Sequence, residues 1–143
     1  MAANFLNVWK PTQKLSLVAL AGAILAVCFE IIAASSLRFL SQRAGLLITL
    51  WTVMPYVILF AGRYFFHRCD IQKQWLRFAV FEVLVVAWVY GQTLLMYPDA
   101  QEGLIFLFLP LLQAVFNLAV GVLLYWLQYR RVAHGVPDAA ECA

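Results

Sequence analysis

The chain has 143 residues, of which 65% are hydrophobic, 15% aromatic and 12% charged, whereas a water-soluble domain carries roughly 45–50% apolar and about 25% charged residues. A chain this short cannot hide such an excess in a large core, so the apolar side chains must face hydrocarbon and a water-soluble globule is excluded. The net charge of +3 comes from ten Lys and Arg spread over the breaks between apolar runs. That pattern fits topology control and lipid headgroup contact and leaves no basic patch for nucleic acid.

A helix that crosses about 30 Å of hydrocarbon at 1.5 Å per residue needs about 20 apolar residues. Four stretches meet this requirement, so the chain reads as all-α, a single membrane domain built as a four-transmembrane-helix bundle. Ahead of the first stretch, Phe5, Leu6, Val8 and Trp9 form a short apolar segment that ends at Pro11 and reads as an interfacial anchor. The first span covers about residues 15–37. Its apolar run exceeds the roughly 7–15 residues of a signal-peptide core and contains Glu30, so it is expected to be retained. Ser35, Ser36, Ser41, Gln42 and Arg43 break the chain before the second span, at about residues 45–66. The polar stretch 67–74 is expected to be an inner loop. The third span covers about residues 76–97, and Pro98, Asp99 and Gly103 mark a turn. The fourth covers about residues 104–129, and residues 132–143, with Gly135 and Pro137, read as a frayed tail.

Eight basic residues, Lys10, Lys14, Arg63, Arg68, Lys73, Arg77, Arg130 and Arg131, fall on one side of this arrangement, and Arg38 and Arg43 on the other. The bias predicts a multi-pass protein of the cell inner membrane with both termini and the middle loop cytoplasmic. Trp9, Tyr64, Trp75, Trp126 and Tyr129 are expected to form the inner aromatic belt, with Tyr97 and Phe39 at the outer level.

Function should lie where the bilayer penalises a side chain, because an ionisable residue at helix centre costs about 2.5–3.5 kcal/mol or more. Glu30 lies eight residues before Arg38, so about 12 Å inside the outer boundary. It shares a broad face with Ala19, Gly22, Ala23, Ala26, Ala33 and Ala34, which should pack closely on neighbouring helices. Two uses are open for it: a cross-bundle hydrogen bond that fixes packing, or a proton or cation site. Gln92, Gln113 and Asn117 join it as candidates for either use. By depth, Gln113, Thr49 and Gln92 fall near Glu30, whereas Asn117 and Thr52 fall lower and Tyr56 lies nearer Glu82. Glu82 itself is expected in a shallow inner-face ion cluster with Arg63 and Arg77. It is roughly 15 Å from Glu30 along the membrane normal, so a relay between the two acids would need intermediates. Pro55 and Pro110 each free a backbone carbonyl within a span and should kink it.

No hydrolase, metalloprotease or phosphate-loop motif occurs, and the two histidines, His67 and His134, both lie outside the spans. No catalytic residue, metal site or cofactor is expected. Cys28, Cys69 and Cys142 are far apart, a spacing that implies no disulfide framework.

The run Gly22-Ala-Ile-Leu-Ala26 followed by Glu30-Ile-Ile-Ala-Ala-Ser-Ser-Leu-Arg38-Phe39 resembles the first helix of the small multidrug resistance transporters. The resemblance implies that Glu30 is a proton and cation site. The patterns Trp51-x-x-x-Pro55-Tyr56 and Asp99-Ala-Gln-x-x-Leu-x-Phe-Leu-Phe-Leu-Pro110-Leu-x-Gln113 look like small four-helix bacterial inner-membrane proteins, a likeness that implies no activity.

The first functional reading is therefore non-enzymatic: helix–helix association in membrane lipid, as a homo-oligomer or with other membrane subunits. The alternative is proton-coupled transport of a lipophilic or cationic solute through Glu30, lined by Gln92, Gln113 and Asn117. A membrane enzyme would need a substrate group reached by Glu82, Arg63 and Arg77 at the inner face.

Overall fold

A computed structural model of the chain describes residues 11–34, 42–96 and 102–134. The expected anchor before Pro11, the end of the first span, the outer aromatics Phe39 and Tyr97 and the tail after His134 lie outside the described residues. Four helices account for nearly all that is described: α1 (Pro11–Ala33), α2 (Arg43–Phe65), α3 (Cys69–Met96) and α4 (Glu102–Ala133). Each is long and apolar enough to cross a membrane, so this is a multi-pass membrane protein.

The helices outrun the apolar runs that announced them, because a hydrophobic boundary marks where lipid ends and not where the backbone stops coiling. Pro11 opens α1, where its missing N–H and fixed φ are no handicap. α3 begins at Cys69, well before the apolar stretch, with Asp70 in its first turn. α4 runs on through Arg130 and Arg131 in its last turn. Both charge placements complement the helix dipole. The stretch 67–74, expected as a loop, is therefore mostly helix, and only residues 66–68 separate α2 from α3.

α1 packs along both α2 and α3, α2 also packs along α4, and α4 closes back on α3 by a lighter contact. The buried residues of α1 are Leu15, Ala19, Gly22, Ala26 and Glu30, a stripe at spacings of three and four that matches the helical period. Only 28% of the apolar window of each span is buried inside the bundle, so most of each helix surface is left for lipid. Exposed Leu20, Leu47, Leu84, Trp88, Leu112 and Val122 lie on that outer surface.

Small residues set how close the helices come. A Cβ on Gly22 would run into the Tyr56 ring and, at 2.8 Å, the Val83 side chain, and one on Gly62 would collide with the Trp75 indole. Trp75, expected in the inner aromatic belt, is instead 1% exposed. It gives its indole N–H to the Leu59 carbonyl at 2.9 Å and packs against Phe66 and Phe78 with ring centroids 5.2 and 5.3 Å away. The correction has a simple cause: α3 starts early enough to place Trp75 a full turn and more inside the helix, facing the gap that Gly62 leaves. Tyr64, Trp126 and Tyr129 are exposed, and Arg130 lies over the Trp126 ring at 4.5 Å. Cys28 is free, but Cys69 is disulfide-bonded, which the wide cysteine spacing did not announce.

Gly22→Ala and Gly62→Ala should each lower stability by about 1–3 kcal/mol through overpacking, measured by reversible unfolding in mixed micelles. Gly91, where an added methyl group would meet nothing within 4 Å, is the control, and Gly91→Ala should be neutral or gain about 0.5–1 kcal/mol.

Candidate functional site

The polar side chains of the spans meet on the inner faces of the four helices, as hydrocarbon requires. Glu30, 3% exposed, has both carboxyl oxygens occupied by hydroxyls from α2. Thr49 Oγ1 donates to Oε2 at 2.8 Å, and Thr52 Oγ1 is hydrogen-bonded to Oε1. These threonines are three apart, so one face of α2 presents both to the same carboxyl. Thr52 Oγ1 also lies 3.2 Å from the Ile48 carbonyl and 3.1 Å from the Thr49 carbonyl. Its proton can therefore point to Glu30 or back to its own helix.

Glu82, 5% exposed, belongs to a second group. Its Oε1 accepts the Gln113 amide Nε2 at 3.2 Å, and its carboxyl also lies beside the Asn117 side chain. Asn117, 0% exposed, donates Nδ2 to the Pro55 carbonyl at 3.1 Å. The Tyr56 side chain, 3% exposed, lies beside Gln113. Tyr90, 1% exposed, is buried as well. Gln113 and Glu82 are joined by a hydrogen bond, and Tyr56, Tyr90 and Glu30 are buried in the same bundle interior.

This grouping differs from the one that depth counting gave. Gln113 serves Glu82 and not Glu30, and Thr52 serves Glu30 and not the level of Asn117. Counting residues from the ends of apolar runs misses by about a turn wherever a helix begins outside its run. Gln92 is half-buried and joins neither group. The expected ion cluster is not assembled: Arg63 gives Nη1 to Ser16 Oγ at 2.9 Å and stacks over Phe60 and Tyr64 at 4.9 and 5.0 Å, and Arg77 is exposed. Neither pairs with Glu82 among the described residues. A buried carboxyl on the inner face of α3 points away from the lipid-side surface where Arg77 lies.

At the end of the bundle that carries the α2–α3 turn, sequence reasoning missed a polar cluster. Asp70 pairs with Arg68 at 3.4 Å and with Arg131. Gln128 accepts the backbone N–H of His67 at 3.1 Å and of Arg68 at 3.4 Å, and Gln72 donates to the Phe66 carbonyl at 2.7 Å. α4 thereby caps the turn, and the signal available was Gln128, a lone amide near the end of an otherwise apolar helix. Tyr90 was missed too, although Glu82, Val86 and Tyr90 at spacings of four share one face of α3.

A cavity of about 500 Å³ opens sideways between α2 and α4, with Trp75 in its floor and Ile58, Ala61, Gly62, Asn117, Gly121 and Val122 among its walls. It is almost wholly apolar and does not reach Glu30. Among the described residues no three His, Cys, Asp or Glu side chains stand together as a metal site would need. No protein-family model, curated protein or solved structure matches this chain, so the likeness of its first helix to the small multidrug resistance transporters rests on residues 22–39 alone.

A double-mutant cycle in membranes should show Glu30→Ala and Thr52→Val coupled by about 0.6–1.7 kcal/mol, the range of interhelical hydrogen bonds in lipid. Glu30→Ala with Gln113→Leu should show coupling near zero. The reverse pattern of coupling energies would put Gln113 back beside Glu30.

Proposed function

We propose that this is a non-enzymatic multi-pass protein of the cell inner membrane, with both termini cytoplasmic, that acts by associating with the helix of another membrane polypeptide. The observation that carries the reading is the inward closure of the polar groups. Glu30 has both oxygens taken by Thr49 and Thr52, and Asn117 holds the Pro55 carbonyl, so these side chains join helices. What is left to interact is the outer surface. The groove between α2 and α4 supports a helix as its occupant, because Ala61, Gly62 and Gly121 in its walls let a second backbone approach closely. The eight-against-two distribution of basic residues supports the orientation.

A photo-crosslinking amino acid at Val122, in the groove, should trap a second polypeptide in intact membranes, and one at Leu84, exposed on α3, should not. Adducts with lipid alone at Val122, together with a monomer that co-purifies with nothing, would overturn the association reading.

The second reading is proton-coupled transport of a lipophilic or cationic solute, and the presence of two buried carboxyls, Glu30 and Glu82, inside one four-helix bundle favours it. Glu30→Gln separates the two. An amide can accept from Thr49 and donate to Thr52, whose proton then turns to the Ile48 or Thr49 carbonyl. Assembly should therefore survive, and a solute-driven proton flux in vesicles that also survives the substitution excludes Glu30 as the coupling acid.

A further inference from the structure

We draw no further inference here: the strongest candidate, the apolar groove between α2 and α4 with Asn117 in its wall, belongs to the site already described, and nothing in the structure shows that Asn117 Oδ1, which has no donor among the described residues, is turned toward an occupant.

Discussion

Hydrocarbon offers no hydrogen bonds, so every polar atom inside these four helices has to find its partner within the protein. That constraint shapes the whole arrangement. It draws Thr49 and Thr52 to Glu30, Gln113 to Glu82, Asn117 to the Pro55 carbonyl and the Trp75 indole to the Leu59 carbonyl. Each of these bonds joins two different helices. Leucine against leucine gains little over leucine against lipid, so it does not select one packing from another. The polar pairs do select, because each has one partner at one register, and slipping a helix by a turn would strand several of them at once.

Close packing is what brings those pairs within reach. Gly22 admits the Tyr56 ring and Gly62 admits Trp75, and each contact fixes an aromatic residue that also has a polar role. Tyr56 must lie against Gly22 for its side chain to meet Gln113. Trp75 must fill the space at Gly62 for its N–H to reach Leu59. Small residues and polar residues therefore act together. The glycine sets the separation, the aromatic ring occupies it, and the ring's polar tip ties the next helix.

The fold was legible from composition and from the length of the apolar runs, because both depend only on the thickness of the bilayer. The small-residue stripe on α1 was legible as well, with Ala19, Gly22, Ala26 and Glu30 buried at the expected spacing. The pairing of the polar residues was not. It depends on helix tilt and on where each helix starts, and α3 starts at Cys69, inside a stretch whose polarity reads as loop. That early start took Trp75 into the core and left Arg77 outside, undoing the expected cluster of Glu82 with Arg63 and Arg77. Hydropathy reports the depth of a residue only to about a turn, and a hydrogen bond needs the answer to within an ångström.

The two buried acids differ in a way that follows from the chemistry of their neighbours. Glu30 is surrounded by hydroxyls, and a hydroxyl can donate or accept by rotating one bond. Thr52 has the Ile48 and Thr49 carbonyls in reach, so it can donate to a carboxylate or accept from a carboxylic acid without any helix moving. Glu82 has the Gln113 and Asn117 amides beside it, groups whose donor and acceptor ends are fixed. The Pro55 carbonyl takes the Asn117 N–H side, and Gln113 gives its own N–H to Oε1 of Glu82. The hydroxyl site can reverse its hydrogen bonds by rotating one bond, and the amide site cannot. A residue that resembles a known proton site by sequence is thus held by the more adaptable of the two sets of neighbours, and the acid that resembles none is held by the more rigid.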